Sequence, residues 1–364
     1  MKKDCEHQRI LQMRYNLEKW RHHDSSFFPY SAELHIVQRC NLSCKYCGGG
    51  TRFSNEKEMS FQELRNVIGQ CLQMQVKEFN FSGPEPFTRK KELLSIIRDI
   101  KKNNRRVSIS TNGTLLEQKD IINLINLGCD ELCVSLDSHI SSVNDYLRNS
   151  PKTFDKVIKT LKLFQKYKFG GKKNPQISIT SVISTLNHKH LYDFARYISD
   201  YDIDCINFQP LMIQTNGAEN LVVNDTQLET VLESLNQISR LLKKLKISSN
   251  AYDLCNSDYF IKSNNSFELR LGIAKIKKSE YENNIICYNP WYNINILHNL
   301  YLGPCIKFAE LKTCSFKSES LNQIWFGNIF NQIRDDIINK KYRESCRDCN
   351  VCAEGLIELK NQIQ

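Results

Sequence analysis

Apolar positions along this chain follow two periods that take turns. An alternating run with Leu34, Ile36 and Val37, then EFNFS at 78–82, RRVSIS at 105–110, ELCVSL at 131–136, QISITSVI at 176–183 and DCINFQP at 204–210, read as strands. The stretches between them carry helical spacing. Leu64, Val67, Ile68 and Leu72 follow a Ser60 cap, and further helices are predicted over about 90–101, around Ile121, Leu124 and Ile125, over 154–167 and over 191–198. Six strands alternating with helices predict an α/β fold of parallel βα units, whose chemistry belongs to the loops at the C-terminal strand ends.

The flanks are different. Residues 1–32 predict a helical extension with Ile10, Leu11, Tyr15, Leu17 and Trp20 as its apolar positions, and 33–225 is the barrel-sized α/β domain. A core-facing helix over 225–245, with Leu228, Val231, Leu235, Ile238 and Leu242 on its apolar side, opens a 226–286 segment. The polar remainder of that segment reads as a linker or lid. From 287 to 364 a hairpin turning near His298 and Asn299 precedes a helical pattern through Leu321, Ile324, Trp325, Ile329, Ile333 and Ile337.

Composition narrows the class. Over 364 residues, 41% hydrophobic and 25% charged residues are ordinary for a globular protein. No stretch approaches the ~18 uninterrupted apolar residues of a membrane span, and the charged N-terminal stretch lacks an apolar h-region, so a cytoplasmic location is expected. Fifteen cysteines in such a chain point to thiolate ligands rather than disulfides. The net charge of +10 owes much to runs such as Lys166, Lys168, Lys172 and Lys173, read as a solvated face, with attraction for an acidic substrate as the other reading. No nucleic-acid recognition motif accompanies the charge, so neither nucleic acid nor membrane is an expected partner.

The densest chemistry is Cys40-Asn-Leu-Ser-Cys44-Lys-Tyr46-Cys47, directly after the first strand. A structural zinc site takes four ligands, usually as two pairs, whereas three thiols on one loop suit three irons of a 4Fe-4S cube and leave the fourth iron open. A zinc knuckle or a redox dithiol is the competing reading. Later strand ends carry Ser82-Gly83-Pro84-Glu85-Pro86, Ser110-Thr111-Asn112-Gly113 and Ser135-Leu136-Asp137-Ser138, any of which alone could be a capped turn. Gln209 ends the sixth strand, facing the mouth in adenine or substrate contact.

The C-x3-C-x2-C spacing with an aromatic before the last cysteine resembles the radical S-adenosylmethionine (radical SAM) superfamily. The resemblance implies a partial (β/α)6 TIM-like barrel in which Cys40, Cys44 and Cys47 hold a SAM-binding 4Fe-4S cluster and SAM is cleaved reductively to a 5'-deoxyadenosyl radical. It places Gly83 and Glu85 at the SAM amine, Asn112, Ser135 and Asp137 along the ribose, Arg148 at the carboxylate and Tyr46 near the adenine. Pro84 stands where the family has a second glycine, which removes one backbone donor. The hairpin, helix and C-x2-C layout of the C-terminal segment resembles the SPASM and shorter twitch domains. That resemblance implies one auxiliary 4Fe-4S cluster on Cys287, Cys305, Cys346 and Cys349, with Cys352 as a fifth candidate; zinc is the alternative metal. Among the remaining thiols, Cys205, Cys255 and Cys314 are positioned as candidate hydrogen-atom donors.

Relatives of this kind modify ribosomally made precursor peptides by cross-linking, thioether formation, oxidation or epimerisation, while a few oxidise or epimerise sugars and aminocyclitols. A peptide-modifying oxidoreductase is the leading expectation and a small sugar or aminocyclitol substrate the alternative. An electron donor such as flavodoxin or ferredoxin is implied, and for a peptide substrate a separate recognition protein. A non-catalytic iron-sulfur electron carrier or zinc scaffold is the reading from another class.

Overall fold

The structure, a computed structural model, describes residues 2–48, 57–168, 175–211, 214–256 and 287–341, with backbone alone for 2–10 and 256. Seven strands run parallel to their neighbours: β1 (Ser31–His35), β2 (Glu78–Ser82), β3 (Arg106–Thr111), β4 (Glu131–Ser135), β5 (Gln176–Ile183), β6 (Cys205–Pro210) and β7 (Ser248–Ser249). Helices connect them: α2 (Phe61–Gln73), α3 (Lys90–Lys102), α4 (Gln118–Leu127), α5 (Ser141–Arg148), α6 (Thr153–Tyr167), α7 (Leu191–Ile198) and α8 (Asp225–Leu245). α2 starts on a capping box in which the Ser60 hydroxyl accepts from the Glu63 amide and the Glu63 carboxylate accepts from the Ser60 amide at 2.7 Å. The expected partial barrel is present, and it continues one unit further than the six expected. The two serines of β7 pair with Cys205 and Ile206 and carry no apolar signal of their own. α5 is a second unannounced element, and it makes Arg148 a helix-terminal residue rather than part of a loop.

The C-terminal unit joins the same sheet. β8 (Asn293–Ile296) pairs parallel with β1, β9 (Tyr301–Gly303) folds back antiparallel on β8, and β10 (Cys314–Ser315) extends the edge. The order is β10-β9-β8-β1-β2-β3-β4-β5-β6-β7. The hairpin turn falls at 297–300, with Leu300 at φ 72°.

Fully buried parallel strands normally read as continuous apolar runs, but these alternate. Ala32, Leu34, Phe79, Phe81, Val107, Ile109, Leu132, Val134, Ile177, Ile179, Ile206, Phe208, Ile294 and Ile296 belong to one buried core with the helices. The opposite face bears Glu33, His35, Asn80, Ser108, Glu131, Ser178, Asn207 and Asn295. These are laterally linked: the Asn80 amide donates to the Ser31 hydroxyl at 2.8 Å, and the Ser178 hydroxyl donates to Glu131 at 2.8 Å. Closed barrels of this type fill the interior with branched apolar side chains, so a polar inner face makes a hydrophilic lumen.

Two expectations are corrected. On α1 (Lys2–Arg21), Leu11 and Tyr15 are about half exposed, at 51% and 50%. Of the expected positions Leu17 and Trp20 do dock, Trp20 edge-on to Trp291 at 5.5 Å, and they are joined by buried Asn16, whose amide donates to the carbonyls of Phe28 and Trp291 at 2.8 and 2.6 Å. Hydrophobic periodicity cannot register a contact made by an asparagine. Lys168, expected on a solvated face, is buried with its ammonium 3.3 Å from Asp202 and 3.6 Å from Asp204; Lys172 and Lys173 lie outside the described residues. Among the described residues no helix is long and apolar enough to cross a membrane.

Candidate cluster and cofactor site

The cysteine loop leaves β1 at the C-terminal edge of the sheet and is tied down at several points. The Asn112 side-chain amide after β3 donates to Asn41 Oδ1 at 2.9 Å and lies 3.8 Å from Cys40 Sγ. The Asn41 amide donates to the Thr114 hydroxyl at 2.9 Å, the Lys45 amide to the Leu147 carbonyl at 2.9 Å, and the Thr215 hydroxyl to the Lys45 carbonyl at 2.6 Å.

Beneath the loop, the predicted carboxylate of Asp137 gathers two other predicted residues, Tyr46 and Arg148. Asp137 accepts from the Tyr46 hydroxyl at 2.7 Å, from the Arg148 guanidinium at 2.8 Å and from the Val182 amide at 3.0 Å. Its own backbone is held by Asn144 and Asn187. The guanidinium stands 5.7 Å from the Tyr46 ring centroid. Burial works against the charge of Arg148, but Asp137, Tyr46 and Cys44 more than offset it and raise its pKa. Burial likewise holds the Tyr46 hydroxyl well above its ordinary range, with Arg148 opposing.

Glu85 is turned inward. Its carboxylate accepts from the amides of Phe87 and Asn112 at 3.0 and 2.7 Å and from the Thr111 hydroxyl at 2.9 Å. Burial raises its pKa and these three donors oppose the rise. Gly83, at φ 99°, needs its glycine twice over, because a Cβ there would meet the His35 ring at 3.2 Å. Ser135 and Gln209 lie on inward-facing positions at the ends of β4 and β6, where Gln209 is exposed.

The donor set suits a cluster. Burial raises the Cys40 pKa and pushes Cys44 up to about 11, with Arg148 drawing Cys44 down and Cys40, Cys47 and Asp137 pushing it up. Burial thus favours the neutral thiol at Cys40 and Cys44, and bound iron would displace those protons. Among the described residues no group of three His, Cys, Asp or Glu side chains is gathered about a single metal-ion position. In a cube each thiolate binds a different iron, so its sulfurs need not converge on one point. For SAM, the Arg148 Nε–H is buried with no acceptor from the chain, a donor suited to a carboxylate.

The second thiol set is split. Cys287 precedes β8, and Cys305 caps a short helix, Ile306–Ala309, just after β9. The Asn293 amide reaches the Pro304 carbonyl at 3.4 Å across the open base of the hairpin, so the segments bearing both cysteines leave the sheet together. Cys346, Cys349 and Cys352 lie outside the described residues. Cys205 and Cys314 are buried and Cys255 half-buried; His188 is buried, its ring nitrogen 2.8 Å from the Thr185 carbonyl. Residues that the sequence reading passed over are Asn144 and Asn187, which brace Asp137, and the polar lumen. The alternation of apolar with polar residues in every strand was the available signal for the lumen.

Comparison with known proteins agrees. Residues 34–198 match the family model of the radical SAM superfamily, and 287–350 match the SPASM iron-sulfur cluster-binding domain, a span that stops short of Cys352. A protein of Pyrococcus furiosus named as a tungsten-containing aldehyde ferredoxin oxidoreductase cofactor-modifying protein is 23% identical over 340 residues, 87% of this chain and 86% of its own. The Streptococcus suis protein SuiB, solved bound to precursor peptide SuiA, superposes with a TM-score of 0.62 at 16% identity over 93% of this chain and 74% of its own. The anSMEcpe structure with bound AdoMet gives a TM-score of 0.62 at 19% identity, covering 89% and 88% of the two chains. Residues 34–198 are thus matched as a radical SAM domain and residues 287–350 as a SPASM domain, the domains that bring 4Fe-4S clusters and SAM binding.

Proposed function

We propose that this enzyme takes a hydrogen atom from an unactivated C–H bond of a ribosomally made peptide at the barrel mouth, yielding a cross-link, thioether, oxidation or epimerisation. The observation that carries the radical reading is the cysteine loop seated on the Tyr46–Asp137–Arg148 network, with Asn112 beside Cys40. When bound, the cluster and SAM supply the electron and the 5'-deoxyadenosyl radical. The chain's own residues bind and orient: Cys40, Cys44 and Cys47 as iron ligands, Arg148 Nε toward the SAM carboxylate, Gly83 and Ser135 along the cofactor, and Tyr46 closing the adenine side. Cys287, Cys305, Cys346 and Cys349 are proposed to hold one auxiliary cluster that exchanges an electron with the substrate radical.

The peptide reading is supported by the likeness to SuiB, solved with a precursor peptide. The polar lumen favours a second reading, a sugar or aminocyclitol. Iron, sulfide and 5'-deoxyadenosine release on anaerobically reconstituted protein test the shared core. Wild type is expected to hold about eight irons, and a Cys40→Ala, Cys44→Ala, Cys47→Ala variant about four with SAM cleavage abolished. Unchanged SAM cleavage in that variant overturns the reading.

A further inference from the structure

Glu33, on the inner face of β1, is the unusual member of the lumen. Its register partner on β8 is Asn295, which is 1% exposed. The Asn295 amide nitrogen donates to Glu33 Oε2 at 2.8 Å, which fixes the amide's orientation because a carboxylate only accepts. The other end of that amide, Oδ1, is buried with no donor. A buried acceptor without a donor is a costly arrangement, and here it stands beside a carboxylate that is itself 36% exposed.

The remaining lumen charges do not answer Glu33. Arg106 is engaged by Glu131 at 3.1 Å and Glu78 at 3.9 Å. Among the described residues the ion-pair partner of Glu33 is His35, at 3.2 Å, which is cationic only when protonated. Among the described residues, Glu33, Glu78 and Glu131 thus share one lumen guanidinium, and Glu33, the carboxylate of β1, has no permanent counter-charge. His35 lies against Gly83, so Glu33 sits one layer beneath the loop proposed to hold SAM.

We propose that Glu33 and Asn295 form a subsite for a protonated amine of the substrate, a lysine-type aminoalkyl group or the amine of an aminocyclitol. An ammonium offers three donors and no acceptor, which matches two adjacent acceptors and a carboxylate that has no permanent counter-charge among the described residues. Two protein oxygen donors are few for a hard metal cation, which takes about six or more. The subsite rests on reading the barrel mouth as the place of C–H attack, and it selects the amine-bearing members of both substrate classes.

The test is equilibrium binding to anaerobically reconstituted, SAM-loaded holoprotein by calorimetry. The probes are blocked Gly-Lys-Gly, its Nε-acetyl-lysine and norleucine counterparts, 2-deoxystreptamine and inositol. Amine probes are expected to bind and their neutral counterparts to bind at least tenfold more weakly. Glu33→Gln is expected to weaken amine binding about tenfold and Glu33→Asp less, since the charge survives. Thermal melting of each variant reports folding, and Asn295→Ala, expected to weaken binding severalfold, supplies an independent reading should Glu33→Gln not fold. The lysine peptide binding alone assigns the peptide source, and 2-deoxystreptamine alone the aminocyclitol source. Equal binding of neutral and amine probes, no amine binding by wild type, or unchanged amine affinity in Glu33→Gln overturns the proposal. Wild-type SAM cleavage is scored separately, so failure of the radical reading shows there and not in the binding data.

Discussion

Asp137 holds three donors on two oxygens, from Tyr46 of the cysteine loop, Arg148 at the end of α5 and the amide of Val182 on β5. Replacing it by asparagine leaves the buried guanidinium without its counter-charge. Asp137→Asn is expected to cost about 3–5 kcal/mol, read as a lower urea midpoint. Tyr46→Phe, which gives up a single hydrogen bond, is expected to cost about 1–2 kcal/mol. Sequence reading singled out Tyr46, Asp137 and Arg148 as separate cofactor contacts, but their mutual contact depends on α5 returning Arg148 to Asp137 just past the end of β4, and no residue pattern shows that return. Glu85 makes a pH prediction. Burial raises its folded pKa above the ordinary 4.5, so the folded state binds the proton more tightly and this group's contribution to stability falls as pH rises upward from about 4.5. Glu85→Gln removes that slope, and denaturant midpoints should show the gap between wild type and variant narrowing from pH 4.5 to 7.

At the scale of elements, most of the α/β alternation was legible because each strand carries its own period-two signal, and α7 and α8 fall where their helical spacing puts them. β7 was not legible, since two serines become a strand only because β6 offers them an edge. The hairpin of β8 and β9 was legible, but its attachment to β1 was not, because sheet order is set by packing across a long sequence separation. Gly303 shows how tightly that hairpin is built. A Cβ there would lie 2.6 Å from the Ala309 amide nitrogen, inside the helix that Cys305 caps. Gly303→Ala is expected to cost about 1–3 kcal/mol and to lower iron content per chain by displacing Cys305, which thermal melting and iron analysis would register together.

Among the described residues a main core runs from the barrel into the C-terminal unit, with a smaller cluster of Tyr46, Leu147, Leu211, Ala218 and Leu221 apart from it. At the N-terminal ends of β1 and β8, buried Arg334 donates to the carbonyls of Pro290 and Trp325 at 3.0 and 2.7 Å, with its guanidinium 4.6 Å from the Trp325 ring centroid and 5.1 Å from that of Phe27. Burial without a carboxylate pulls its pKa down to about 9. A chain ending before residue 287 would lose this clamp and leave the β1 edge unpaired, and size-exclusion chromatography is expected to show aggregates in place of a monodisperse barrel. Pairing of β8 with β1 also bears on inheritance. The C-terminal unit is not an appendage that recombination can exchange freely, because its strand β8 brings with it one wall of the polar lumen. A chimera receiving this segment from a relative would import a new residue at position 295 along with new iron ligands, so redox equipment and substrate choice should pass between lineages as a single trait.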